Sequence, residues 1–135
     1  MYQDTSSPGG DVFVVDDDPS ILKALSRLLK TRAIETRTYV SAEAFIASLS
    51  DQTVRPEGLI LDLQMPGMNG LELQHHLNRS GIRIPTIVIT AHREEDAREL
   101  CVAAGSAAYL LKPIEDRVLL DAINHIRAKD VGATG

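Results

Sequence analysis

The chain reads as an α/β protein, a three-layer sandwich in which a five-stranded parallel sheet lies between two layers of helices. Three observations predict this. Apolar runs of strand length alternate with segments of helical period five times along the chain. Four of the five runs are almost uniformly apolar rather than alternating, as parallel strands covered on both faces must be. Acidic, hydroxyl and basic residues stand where those runs end.

The elements follow in order. Residues 1–10 are small and polar without a period and read as a disordered leader. Val12-Phe13-Val14-Val15 forms the first strand, and Ile21, Leu22, Leu25, Leu28 and Leu29 line one face of the first helix. Ile34 to Tyr39 alternates and carries two charges, which suits the edge of a sheet. Ser41 stands at the N-cap of a helix with Ala42, Phe45, Ile46 and Leu49 inward. Leu59-Ile60-Leu61 is the third strand; Asn69 caps a weaker helix, Gly70 to Arg79, with Leu73 and Leu77 four apart and Gly81 at its stop. Thr86 to Thr90 is the fourth strand, followed by a helix on Ala97, Leu100, Cys101 and Ala104 that Gly105 ends. Ala107 to Leu111 is the fifth strand, and Val118, Leu119, Ala122, Ile123 and Ile126 mark the last helix. Residues 130–135 read as a flexible tail or the start of a linker, so one domain spans 11–129. With the second strand at an edge, the natural strand order is 2-1-3-4-5, the flavodoxin-like (βα)5 arrangement. There the chain reverses direction across the sheet between strands 1 and 3, and ligands bind beyond the C-terminal strand ends at that point.

Composition narrows the function. A length of 135 residues suits one core, and 44% hydrophobic with 24% charged residues is the balance of a folded soluble domain. A net charge of -5 argues against generic binding to nucleic acid or anionic membranes. No apolar run approaches the roughly 18 residues that span a bilayer, and no secretory signal opens the chain, so a cytoplasmic location is expected. Cys101 is the one cysteine; it has no Cys or His at ligand spacing and sits at helical spacing with Ala97, Leu100 and Ala104, which points to packing.

The chemistry gathers at the strand ends. In VFVVDDDPS, Val12 to Ser20, three carboxylates follow an apolar run. Two such charges about 4 Å apart interact by roughly 4 kcal/mol near a protein surface, so a positive partner is required. Asp16 and Asp17 end strand 1, Asp62 ends strand 3, Thr90 ends strand 4 and Lys112 ends strand 5; the strand order sends all five to one cleft. Strands disfavour Asp, so one inside Leu59-Ile60-Leu61-Asp62-Leu63 needs a specific reason. Converging carboxylates make a site for a hard divalent cation, Mg²⁺ before Mn²⁺. Lys112 adds a point charge for carboxylate or phosphate oxygens, and Thr90 a hydroxyl donor. Bland roles remain for some residues. Asp18 before Pro19 is a helix start signal. His75-His76 lacks a companion ligand and reads as a solvated helix face; Met65-Pro66-Gly67-Met68 reads as a turn.

Four patterns, VVDD at Val14 to Asp17, LDLQMPGMNG at Leu61 to Gly70, IVITA at Ile87 to Ala91 and YLLKP at Tyr109 to Pro113, resemble the receiver domains of bacterial two-component response regulators. The resemblance covers Asp11 to Arg127; SAEAF at Ser41 to Phe45 and the KPIED turn resemble the FixJ-type branch most. It implies a phosphoryl-transfer switch in which Asp62 accepts phosphate from the phosphohistidine of a sensor histidine kinase. It also implies that Asp17 and Asp62 bind Mg²⁺ directly, Asp16 through water and Gln64 through its main-chain carbonyl. Carboxylate attack on phosphorus builds charge that the metal and Lys112 stabilise. By the same resemblance Thr90 and Tyr109 form the switch, Gln64 and His92 tune hydrolysis, and the helix 4, strand 5 and helix 5 surface is read by partners, including a second copy on phosphorylation. Packing is the alternative role for Tyr109, and exposed loop positions for Gln64 and His92. Lys112-Pro113 takes a cis bond in the family, whereas sequence alone favours trans.

Three other readings stand beside this one. A haloacid-dehalogenase-type phosphatase would use Asp16 as nucleophile, with Thr90 and Lys112 as later motifs; it needs a further strand-end acidic pair, yet Glu115 and Asp116 open a helix. A flavodoxin-like electron carrier shares the strand order, but three acids in the first turn repel an FMN phosphate. A binding module of the same fold that never accepts phosphate leaves the five residues unused. The expectation is therefore a phosphorylated switch that acts on itself rather than on a metabolite. It has no direct contact with nucleic acid or membrane in this segment, and stands alone, in a DNA-binding transcription regulator or in a hybrid kinase.

Overall fold

The computed structural model describes residues 11–50, 56–91 and 95–134. The leader at 1–10 and His92 lie outside them. Among the described residues five strands and five helices alternate: β1 Asp11–Val15, α1 Pro19–Lys30, β2 Thr36–Tyr39, α2 Ala42–Leu49, β3 Pro56–Asp62, α3 Gly70–Arg79, β4 Thr86–Thr90, α4 Glu95–Ala103, β5 Ala108–Leu111 and α5 Asp116–Thr134. All strand pairs are parallel, in the order β2-β1-β3-β4-β5.

Alternation along the strands divides the core in two. Val12 and Val14 of β1, Ile60 of β3 and Ile87 and Ile89 of β4 pack with Leu22 and Leu29 of α1 and Leu119, Ile123 and Ile126 of α5. Phe13, Val15, Leu59 and Leu61 face the other way, onto Ala42 and Phe45 of α2 and Leu73 and Leu77 of α3. Phe13, Tyr39 and Phe45 form an aromatic trio with ring centroids 5.7–5.8 Å apart. Cys101 is fully buried beside Leu63 and Val88, as its helical spacing predicts, and burial pushes its thiol pKa up.

Local chemistry sets the helix ends. Asp18 caps α1 by accepting from the Ser20 amide, with Pro19 in the first turn. Ser41 caps α2 through the Ala44 amide, and Asn69 and Glu72 exchange side-chain-to-backbone bonds in a full capping box on α3.

Three boundaries and one burial pattern differ from the sequence expectation. Ile34 is not a strand residue: Ala33 turns left-handed at φ 60°, and the Ile34 amide donates to the Leu29 carbonyl, closing α1. β3 begins three residues early, at Pro56, where it pairs with Asp11 at the start of β1. β5 is covered on both faces only in part, because it is the second edge of the sheet: Ala108 to Leu110 are half-buried and Leu111 is exposed. α5 runs on through 130–134, where a flexible tail is expected, since Gly132 alone does not end a helix.

Candidate functional site

The strand order brings the C-terminal ends of β1, β3, β4 and β5 into adjacency, and the predicted polar residues meet there. One carboxylate oxygen from each of Asp16, Asp17 and Asp62 lies within 4.8 Å of the others. Lys112 comes in from β5: its Nζ donates to Asp16 Oδ2 at 3.1 Å and lies 3.6 Å from Asp62 Oδ1. These residues are up to 96 positions apart in the chain. The Lys112-Pro113 bond is cis.

The three acids occupy different environments. Asp16 is wholly buried, and both its oxygens are engaged, Oδ2 by Lys112 and Oδ1 by the Asp18 amide at 2.9 Å. Asp17 is exposed. Asp62 keeps 4% of its surface open and receives a long bond, 3.4 Å, from the Gln64 amide. Burial pushes the Asp62 pKa up from 3.8 to about 6; the charge on Asp16 and, less, that on Asp17 add to this, while Lys112 and the Gln64 amide oppose it. Burial pulls the Lys112 ammonium down, but its hydrogen bond to Asp16 and the charges of Asp62 and Asp16 outweigh that and hold it above the ordinary lysine value.

One ammonium facing three carboxylates leaves the cleft net negative. Oxygen-only donors that repel one another fit a hard divalent cation, and this is the one such group of three among the described residues. His75 and His76 belong to no such group.

Thr90 is buried at the end of β4, and its carbonyl accepts from the Lys112 amide at 2.8 Å. The β4/β5 register pairs Val88 with Tyr109 and Thr90 with Leu111, so Thr90 and Tyr109 share a sheet face as diagonal neighbours. Tyr109 is half-buried against the Leu63, Val88 and Cys101 cluster. Gln64 is exposed in the loop after β3. Two features of that loop escape sequence reasoning. A Cβ on Gly70 would sit 2.6 Å from the Asp62 carbonyl oxygen, so α3 can start this close to the site only with glycine there. The Met68 amide donates to Glu43 Oε2 of α2 at 3.0 Å. An acid in a first helical turn is accounted for by the helix dipole alone, which hides such a tie.

Residues 12–124 match the response regulator receiver domain family. Transcriptional regulatory protein FixJ of Rhizobium meliloti (strain 1021) is 38% identical over 112 residues, 83% of this chain and 54% of that protein. The crystal structure of FixJ-N covers 90% of this chain and 96% of its own at 35% identity, with a TM-score of 0.81. A response regulator receiver protein from Burkholderia phymatum is 41% identical with a TM-score of 0.76, covering 87% of this chain and 96% of its own. The chain spans about half the length of the curated relatives it matches. With its order 2-1-3-4-5 sheet and an acid triad at the strand ends, the chain belongs to the response regulator receiver domain family.

Proposed function

We propose that this receiver domain accepts a phosphoryl group on Asp62 from the phosphohistidine of a sensor histidine kinase, and that the modified site resets the α4, β5 and α5 surface. The observation that carries the reading is the convergence of Asp16, Asp17 and Asp62 within 4.8 Å, with Lys112 3.6 Å from Asp62. An Asp62 oxygen attacks phosphorus, the phosphorus–nitrogen bond breaks, and the imidazole nitrogen of the kinase leaves with the electron pair. Lys112 stabilises the negative charge on the phosphoryl oxygens.

Asp17 and Asp62 would hold Mg²⁺ directly, Asp16 through water and Gln64 through its carbonyl; Mn²⁺ fits the same donors. When bound, the ion supplies charge to the oxygens of nucleophile and phosphoryl group. Within the chain, Asp16 contributes a fixed negative charge that keeps Lys112 protonated and in place.

Phosphorylation adds one to two negative charges and new acceptor oxygens. The Thr90 hydroxyl is drawn to them, and Tyr109, its diagonal neighbour across β4 and β5, changes rotamer as space opens. Exposed apolar side chains on the three elements, Leu100 and Val102 of α4, Leu111 of β5 and Val118 of α5, support use of this surface by partners, including a second copy of the phosphorylated chain. Gln64 and His92 tune hydrolysis of the phosphoaspartate. A relative named as a transcriptional regulatory protein supports control of transcription as the output, and no described helix is long and apolar enough to cross a membrane. The domain catalyses only its own phosphorylation and dephosphorylation, in the cytoplasm.

The engagement of both Asp16 oxygens disfavours the phosphatase reading, as does the placement of Asp116 at the first turn of α5, with the Glu115 carbonyl accepting from Leu119. Incubation with acetyl phosphate and Mg²⁺, followed by intact-mass and peptide analysis, tests the proposal. One phosphoryl group on Asp62, absent from Asp62→Asn, is expected. Modification of Asp16 instead would indicate a phosphatase-type nucleophile, and no modification a phosphate-independent binding module.

A further inference from the structure

The loop from Leu63 to Asn69 joins the phosphoacceptor strand to α3 and carries the Gln64 carbonyl. Its two ends are fixed by its own neighbours: the Gly70 amide donates to the Leu63 carbonyl at 2.9 Å, and the Asn69–Glu72 capping box seats the start of α3. Its middle is held by another element. Met65 is buried in the cluster that contains Ala42 and Phe45 of α2, and Met68 packs at the edge of that cluster. From the next position of α2, the Glu43 carboxylate accepts the Met68 amide at 3.0 Å, and the same oxygen lies 2.9 Å from where a Cβ on Gly67 would be. Gly67 has φ 75°, so the chain turns left-handed directly under the carboxylate. A charged acceptor on a main-chain amide is among the stronger hydrogen bonds. Glu43 is exposed and makes no ion pair among the described residues, so this contact is where its side chain is spent.

We propose that Glu43 is a positioning residue for phosphoryl transfer: by holding the Met68 amide it sets the path of the loop, and through the loop the placement of the Gln64 carbonyl and the Asp62 carboxylate. The inference rests on the reading of Asp62 as phosphoacceptor. Releasing Met68 lets the left-handed turn at Gly67 relax, and the slack is taken up toward Gln64, because the α3 end is locked by its capping box. The cost falls on metal affinity and transfer rate more than on stability, since Ser41 still caps α2 and the core beneath is unchanged.

The test compares the full chain with Glu43→Ala and Glu43→Gln. Glutamine keeps a carbonyl acceptor at the same reach but removes the charge. Three measurements are made: Mg²⁺ affinity by calorimetry, the rate of modification by acetyl phosphate, and exchange protection of the Met68 amide by NMR. Glu43→Ala is expected to lose Met68 protection and to weaken Mg²⁺ binding and slow modification about 10-fold each, the low end of what loss of an outer-shell contact costs. Glu43→Gln is expected within about threefold of wild type, as a hydrogen-bond role requires and a long-range charge role does not allow. Wild-type rates in Glu43→Ala, or equal losses in both variants, overturn the inference. Should the alanine variant not melt cooperatively, Glu43→Ser, too short to reach Met68, takes its place with the same expectation. If wild type is not modified on Asp62 the functional reading fails, while Mg²⁺ affinity and Met68 protection still decide the role of Glu43.

Discussion

Asp62 carries a charge that its surroundings oppose, and the opposition has a sign that can be measured. Its pKa of about 6 in the fold, against 3.8 as a free side chain, means that the folded state holds the proton more tightly. Below pH 3.8 both states are protonated, the carboxyl is uncharged and the stabilisation from its proton is fully present. As pH rises through 6 the stabilisation from that proton is lost, to a limit of about 3 kcal/mol. Asp62→Asn is therefore expected to stabilise the metal-free protein by up to about 3 kcal/mol at pH 7.5, a limit that already includes the attraction to Lys112, and to have little effect at pH 3.5. Urea melts at the two pH values check this; an unchanged or lower midpoint at pH 7.5 contradicts it. Lys112→Ala goes the other way. It strips a fully buried Asp16 of its ammonium partner and unscreens the Asp16–Asp62 repulsion, for an expected loss of about 2 kcal/mol in the same melts.

At the scale of elements, the turn after α1 shows what pattern reading reaches and what it misses. Ile34 alternates correctly with Thr36 and Thr38 and so reads as the start of β2, yet its burial belongs to the closure of α1. The left-handed Ala33 that makes this closure has no signature, because glycine is the usual marker and alanine stands there. Ala33→Gly is accordingly expected to raise stability by up to about 1 kcal/mol, as relief of the left-handed strain exceeds the added entropy of the unfolded chain; a lower urea midpoint would contradict it. The central strands, four of the five helix starts and the strand ends bearing Asp16, Asp62, Thr90 and Lys112 were legible, since each rests on local periodicity, a cap residue or a polar residue closing an apolar run. The partial exposure of β5 was harder to read: the order 2-1-3-4-5 puts it at an edge, yet Ala108 to Leu111 is as apolar as a strand covered on both faces. The tie from Glu43 to Met68 and the close approach of Gly70 to the Asp62 carbonyl were equally hidden, for both are contacts between elements that no spacing encodes.

Across the whole molecule, a parallel sheet whose order reverses beside β1 delivers acids from two distant segments to one point and leaves their repulsion as a standing load on the fold. A divalent cation that binds only when Asp16, Asp17 and Asp62 are assembled must then stabilise the folded state by mass action, by about 2.7 kcal/mol at a hundredfold excess over its dissociation constant. The same ion converts the repulsive term at Asp62 into an attractive one, so its effect should depend on the residue there. Wild type is expected to gain thermal stability steadily with Mg²⁺ at pH 7.5. Asp17→Asn and Asp62→Asn should gain much less over the same range, each lacking one of the carboxylates proposed to hold the ion. Because Asp62→Asn begins above wild type without metal, the two titration curves should converge as Mg²⁺ is added. Differential scanning calorimetry across a Mg²⁺ series, with the same ionic strength held by NaCl, separates site binding from general screening of a chain of net charge -5. Parallel curves for wild type and Asp62→Asn would mean that the ion acts elsewhere on the surface, and that the acids converge for a reason other than holding it.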